Sequence, residues 1–232
     1  MLIEKIKKFK KKTFGKIFPS GLERIDRFLI DEIKEISSCL DLGCGGTDTQ
    51  LSRFKRIKKI FPNLYSVGVD IFDEYIEKSN KNKVHSKYIK ADILEIDFPN
   101  DSFDCILLMD VVEHLEKDDF IKLIPKLEKW SKKVIILTPN GFTDNDMHDG
   151  NEHQIHKSGW KVQELENLGF KCSGVAGFKF LRTKGCVPKI KPSFLGNMIC
   201  DLTEPFVQNN PRFAYHLLCI KKQEEKREKG ED

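Results

Sequence analysis

Five apolar runs of strand length punctuate the chain between Ser38 and Pro139: SCLDLG, LYSVGVD, KYIKAD, FDCILLMD and KVIILTP. Amphipathic stretches of helix length alternate with them. Strands rich in Val, Ile and Leu that alternate with helices require right-handed crossovers, which build a parallel sheet covered on both faces. An α/β fold with a doubly wound, mostly parallel sheet follows from this pattern alone.

Two later runs, FKCSGVAGF and FAYHLLCIKK, are expected to pair as an antiparallel C-terminal edge hairpin, giving seven strands. The segment between them, Leu181 to Arg212, is too long for a hairpin loop and carries Pro188, Pro192, Pro205 and Pro211 around the apolar FLGNMICDL. We read 181–212 as a small insertion or cap. Ahead of the sheet, residues 2–18 place Leu2, Ile3, Ile6, Phe9 and Phe14 among lysines at roughly helical spacing. This predicts a basic amphipathic helix, followed by a second helix over GLERIDRFLIDEI. The 232 residues thus divide into N-terminal helix and lid (1–30), one domain (31–221) and a charged, solvated tail (222–232).

The net charge of +4 is unevenly placed, because residues 1–16 hold seven lysines against one glutamate and leave the remainder at −2. A near-neutral body offers no broad basic face, which argues against DNA and RNA as partners. The N-terminal lysines suit either a solvated lid helix or an interfacial helix held by anionic lipid. No run reaches the eighteen or so apolar residues of a spanning helix, and a signal peptide's apolar stretch and cleavage site are absent. The expected location is the cytoplasm, with peripheral membrane contact through residues 2–18. Seven cysteines, odd in number, without a C-x-x-C pair and mostly inside apolar runs, favour reduced buried thiols over disulfides or a zinc site.

The first strand breaks into glycines and enters a helix: Cys39-Leu-Asp41-Leu-Gly43-Cys44-Gly45-Gly46-Thr47. Such a turn, at the carboxyl end of a parallel strand, lies where open α/β sheets bind ligands. Glycine lets the backbone approach a bound molecule, and a helix N-terminus offers N–H groups to a carboxylate. Asp41 is suited to accept from an ammonium group, so the ligand suggested is an amino acid. At the end of the second strand, Asp70 is suited to accept both hydroxyls of a ribose. Ala91-Asp92-Ile93 closes the third strand. One such aspartate is an ordinary helix cap and one glycine turn is ordinary structure. Three in order at successive strand ends are a binding pattern.

Asp41-Leu-Gly43-Cys44-Gly45-Gly46 resembles the first motif of class I S-adenosylmethionine-dependent methyltransferases, acidic-x-Gly-x-Gly, with Thr47 where a third glycine is often seen. The resemblance spans roughly Ser37 to Phe170. It implies a Rossmann-like seven-stranded sheet and S-adenosylmethionine as cofactor, held by Asp41, Gly43, Cys44, Gly45, Asp70, Ile71, Asp92, Ile93 and Met109. In the family the Asp92 position accepts from the adenine amine. A nicotinamide dehydrogenase is disfavoured, because its fingerprint needs glycine where Asp48 stands.

Phe103 to Met109, followed by Asp110-Val-Val-Glu113-His114-Leu115, resembles the fourth strand and turn of a subgroup that includes quinone-precursor O-methyltransferases. The Asn/Asp-Pro-Pro-Tyr motif of enzymes that methylate DNA bases, and of some that act on glutamine side chains, is absent here. On a helical turn Asp110, Glu113 and His114 stand at i, i+3 and i+4 and share a face. Neutral His114 then suits a general base for an acceptor hydroxyl. Alternatively, Asp110, Glu113 and His114 hold a divalent ion such as magnesium. Some quinone O-methyltransferases and small-RNA 2′-O-methyltransferases use Glu-x-x-Glu-His in that way; Asp110 is one methylene shorter. Capping and packing of the turn is the third use.

After the fifth strand, a polar loop carries His148, His153 and His156 beside Asp146, Asp149 and Glu152, and leads to Trp160. Related enzymes face the acceptor here, and His156 is the acceptor-side residue we select. The three histidines and their acidic neighbours suit either a metal or a hydrated polar loop, of which we select the hydrated loop, and Trp160, Leu165 and Phe170 read as the core face of a helix. The expectation is methyl transfer to a hydroxyl of a small-molecule or lipid-linked acceptor, with His114, Glu113 and His156 as catalytic candidates. The rivals are an RNA 2′-O-methyltransferase and a non-catalytic S-adenosylmethionine-binding module.

Overall fold

All five runs form strands in the computed structural model, which describes residues 21–46, 48–145 and 150–223. They are β1 (Ser38–Leu42), β2 (Tyr65–Asp70), β3 (Lys87–Lys90), β4 (Cys105–Met109) and β5 (Lys133–Pro139). Helices α1 (Gly21–Ile33), α2 (Asp48–Ile60), α3 (Asp73–Lys81) and α4 (Lys117–Trp130) lie before and between them. After β5 come α5 (Val162–Asn167) and β6 (Lys171–Phe178). The insertion forms a small hairpin of β7 (Arg182–Thr183) and β8 (Val187–Pro188), then α6 (Ser193–Leu202) and α7 (Glu204–Asn209), before β9 (Ala214–Lys222).

The seven-stranded sheet has the order β3-β2-β1-β4-β5-β9-β6. Strands β1 to β5 pair in parallel, while β9 runs antiparallel to both β5 and β6. The antiparallel hairpin thus closes this edge, with β9 inserted between β5 and the outermost β6. Order reverses at β1, which sets β2 on one side and β4 on the other and opens a crevice at their carboxyl ends.

Successive residues of each central strand serve opposite faces. Leu40, Leu42, Ile106 and Leu108 pack with Phe120, Leu127 and Trp130 of α4 and with Trp160 and Phe170. Cys39, Leu107, Ile135 and Leu137 pack with Ile25, Leu29 and Ile33 of α1 and Leu51, Phe54 and Ile57 of α2. Burial on both faces is why these strands read as continuous apolar runs. Trp160 belongs to this core, its indole N–H donating to Val112 O at 3.3 Å.

The expectation of reduced thiols needs one correction. Cys172 of β6 and Cys219 of β9 are direct cross-strand partners and are joined as a disulfide. Spacing along the chain could not show this, because strand register alone sets the two side chains opposite each other. Cys39, Cys44, Cys105, Cys186 and Cys200 remain free. The basic segment 2–18, the tail beyond Gln223, Thr47, and Asp146, His148 and Asp149 lie outside the described residues. No helix among the described residues is long and apolar enough to cross a membrane.

At the amino ends of β1 and β4, one carboxylate joins the central strands. Asp104 Oδ2 accepts from the backbone N–H and hydroxyl of Ser37 (2.9 and 2.7 Å) and of Ser38 (both 3.1 Å). Burial pushes this carboxyl up, but the serine hydrogen bonds and the Lys132 ammonium outweigh it and hold it far below the ordinary range. The stability it contributes is therefore present above the unfolded-chain value near 3.9 and is lost as pH falls below it. Asp104→Ala is expected to cost about 1–3 kcal/mol at neutral pH in urea unfolding. The two proteins' stabilities should converge in acid.

Candidate functional site

A cleft at the carboxyl ends of β1, β2 and β4 is lined by Gly43, Gly45, Asp70, Asp92, Asp110 and His114, among others. Its floor is the turn after β1. Gly43 and Gly45 adopt left-handed conformations, φ +69° and +59°. A Cβ on Gly43 would lie 2.5 Å from Val111 Cγ2, so glycine is required both by the backbone and by the approach of the β4 turn. The Cys44 N–H donates to Val69 O at 2.9 Å, which ties the turn to β2.

Asp70 is buried beside this turn. Its Oδ2 accepts from Gly45 N–H at 2.9 Å and its Oδ1 from Phe72 N–H at 3.0 Å. Burial pushes its pKa up, against those backbone donors. Each oxygen retains a lone pair, and the residue lines the cleft with Ile71. Asp92 lines the same cleft with Ile93 and Leu94, its Oδ1 accepting from Leu94 N–H at 2.9 Å.

Three residues expected to hold the cofactor are placed elsewhere. Asp41 points beneath the turn, 3.4 Å from His85 Nε2 within a buried pair. Strand alternation explains this, since residues 39 and 41 share the α1/α2 face. Cys44 is buried in the same layer; a Cβ on Gly68 would meet its Sγ at 3.0 Å and His85 Cδ2 at 2.6 Å. Met109 packs with Leu137 in the α1/α2 core and does not line the cleft. His85, its ring tilted against Phe54 with centroids 4.1 Å apart, carried no signal in the sequence.

Beyond β4 the chain turns sharply. Asp110 has φ +59°, a conformation Asp tolerates better than most residues, and its N–H donates to Leu137 O at 2.9 Å. Only Val112–His114 form a 3₁₀ turn. Asp110 therefore stands outside that turn, and the common helical face expected for Asp110, Glu113 and His114 does not form. Its Oδ1 lies 3.7 Å from Nε2 of His216 on β9, a neighbour that sequence spacing did not suggest.

The structure instead gathers Glu113, His114 and His156, with ligand-capable atoms all within 4.8 Å of one another. Thr138 Oγ1 donates to Glu113 Oε2 at 3.0 Å. The Glu113 carbonyl accepts from Lys157 and Ser158 N–H at 2.8 and 3.0 Å, which brings the loop carrying His156 to the turn. His114 and His156 meet edge to face at 4.8 Å. Their Nδ1 atoms face the carbonyls of Ile155 (3.3 Å) and Thr143 (2.5 Å). A carbonyl can only accept, so each Nδ1 carries the proton and each Nε2 keeps its lone pair.

Burial sets the charge state here. It pushes Glu113 well above the carboxylate range, reinforced by Asp110. It lowers His114 to about 4, reinforced by His156, and lowers His156 as well. The loop also brings Asn151, His153, Gln154 and Lys157 to the cleft. The loop was read as hydrated, since nothing in a polar loop's composition says where it folds back.

Residues 40–133 match the methyltransferase domain family. An uncharacterised protein of Methanocaldococcus jannaschii is 23% identical over 216 residues, covering 88% of this chain and 90% of that protein. Phosphoethanolamine N-methyltransferase of Plasmodium falciparum is 31% identical over 145 residues, covering 59% of this chain; the chain spans only 52% of that enzyme's length. A crystal structure of a SAM-dependent methyltransferase from Archaeoglobus fulgidus shares the fold with a TM-score of 0.53 at 21% identity, covering 91% of this chain and 98% of that one. The matched segment is a methyltransferase domain, and the fold is one shared with S-adenosylmethionine-dependent methyltransferases of known structure.

The imidazole of His114 should titrate near pH 4 by NMR, well below the ordinary 6.5. An unfolded His114 takes up its proton at 6.5 while the folded one stays neutral. Its contribution to stability therefore falls as pH drops from 6.5 towards 4, and His114→Gln should flatten that part of the stability profile.

Proposed function

We propose that this protein transfers a methyl group to a hydroxyl of a small-molecule or lipid-linked acceptor, with His114 as the general base. One observation carries the reading: neutral His114 lines the same cleft as Asp70 and Asp92. S-adenosylmethionine would lie along the Gly43–Gly45 turn, with Asp70 accepting from the ribose hydroxyls and Asp92 and Ile93 flanking the adenine. The glycine turn's close backbone approach and the buried Asp70 fit such a group. When bound, the cofactor supplies an electrophilic methyl group.

The chain's own residues would do the rest. Nδ1–H of His114 is fixed on Ile155 O, which leaves Nε2 to accept the acceptor's hydroxyl proton. His156, against the His114 ring, keeps a second lone pair near by and favours the neutral base. Glu113, which burial pushes towards its neutral form, positions the His156 loop through its carbonyl. Holding donor and acceptor in line supplies much of the rate.

A second reading rests on the convergence of Glu113, His114 and His156. One carboxylate and two imidazoles suit a divalent ion, which would lower the pKa of an acceptor hydroxyl. An RNA 2′-hydroxyl is then a candidate acceptor, although the near-neutral body offers little to a phosphate backbone.

Calorimetric titration with S-adenosylhomocysteine should give binding that weakens by roughly tenfold or more in Asp70→Ala, given two lost charge-assisted hydrogen bonds. No binding by the wild-type protein would overturn the cofactor placement. In a screen of phenolic, polyprenyl and sugar-lipid hydroxyls, His114→Ala should lower kcat by about 10²–10⁴ while leaving S-adenosylhomocysteine affinity unchanged. An unchanged rate would remove the base. Activity abolished by a chelator and restored by magnesium or manganese would establish the metal reading instead.

A further inference from the structure

The insertion between β6 and β9 contributes nothing to the lining of the cofactor cleft, yet it exposes an unusual amount of apolar surface. On α6, Phe194 (72% exposed), Met198 and Leu202 (67%) stand at i, i+4 and i+8, opposite the buried Gly196 and Cys200. Thr203, in right-handed helical conformation, carries the chain into α7, so that Phe206 follows four residues after Leu202. Phe206 then joins a ring cluster: it lies 5.3 Å from Phe178 and 5.9 Å from Phe213, and Phe178 lies 4.8 Å from Phe180. Phe180 is 59% exposed. The stripe and the ring cluster meet at Phe206.

Charge on the same segment has one sign at the surface. Lys179, Lys184, Lys189, Lys191 and Arg212 are exposed. The two acids of the segment, Asp201 and Glu204, are buried, the second accepting from Ala176 and Gly177 N–H at 3.0 and 2.6 Å. Exposed phenylalanines among cations are the composition of a surface that inserts rings at a headgroup boundary while lysines and arginine meet anionic lipid. A second copy of the chain is a poor occupant, because a self-complementary contact would bring like charges together.

We propose that this face, built from the end of β6, α6, α7 and the turn at Phe213, docks the protein on an anionic lipid bilayer. It is distinct from the basic segment 2–18 and does not rest on the methyl-transfer reading. Helix α1 packs against α6 and so backs this face from within the fold.

The test is sedimentation of the full chain with vesicles of phosphatidylcholine alone or mixed with phosphatidylglycerol. The wild type should sediment with the anionic vesicles. A Phe180→Ser/Phe194→Ser/Leu202→Ser variant, checked for unchanged thermal unfolding, should partition about tenfold more weakly or worse, given the apolar area each side chain would bury. Lys189→Glu/Lys191→Glu, which leaves the rings in place, should lose only the preference for phosphatidylglycerol. The proposal is overturned if the wild type does not bind, or if both variants bind like the wild type, which would leave residues 2–18 carrying the contact. It is also overturned if the apolar variant instead abolishes a dimer or a complex with an acidic protein.

Discussion

Parallel hydrogen bonding of β1 to β2 on one side and β4 on the other is the constraint on which this molecule depends. It brings Leu42, Asp70 and Met109 to one edge of the sheet, where the three strands end together. Parallel strands cannot be joined by tight turns, so helices must cross over both faces and bury them. With the faces filled, a ligand has only the strand ends left. The reversal of strand order at β1 separates the connecting segments and leaves the crevice between them. Gly43 and Gly45 are needed because the β1 turn must clear the β4 turn at Val111 and still turn the Gly45 N–H towards Asp70.

Electrostatics at the other end of that crevice follow from burial rather than from pairing. Glu113 and His114 are both pushed towards their neutral forms. A charged carboxylate in that position would be costly, and the hydroxyl of Thr138 offsets only part of the cost. The backbone carbonyl of Glu113 accepts from Lys157 and Ser158 N–H and holds the 150–158 loop against the turn. One buried acid thus links the fourth strand to the region expected to face the acceptor. A neutral imidazole at the cleft wall is the form required of a base, and also the form that ligates a metal.

Much of this was legible in the residues. The apolar runs, their boundaries and the parallel arrangement were visible because both faces of each strand are buried. Gly43, Gly45, Asp70, Ile71, Asp92 and Ile93 were marked by their places at strand ends, and all line the cleft. Asp41, Cys44 and Met109 were expected to hold the cofactor from the motif resemblance, and they do not line the cleft; strand alternation turns Asp41 and Met109 to the α1/α2 face. Asp110 was given a helical partner face, but its left-handed backbone breaks the i, i+3, i+4 geometry. Glu113 and His114 were singled out together and His156 apart from them, and their meeting depends on a loop whose fold-back has no periodic signal. The Cys172–Cys219 disulfide is of the same kind, decided by register between strands 47 residues apart.

The sequence by itself therefore determined the fold class, the position of the binding edge and the carboxylates at the strand ends, because periodicity and strand termini are local properties of the chain. Tertiary structure alone decided which side of β1 Asp41 faces, that His85 stands against Asp41 and His216 against Asp110, and that Phe178, Phe180, Phe206 and Phe213 gather in one ring cluster. Those outcomes depend on contacts between segments far apart in the chain. Packing and register fix such contacts, and neither is written in the spacing of neighbouring residues.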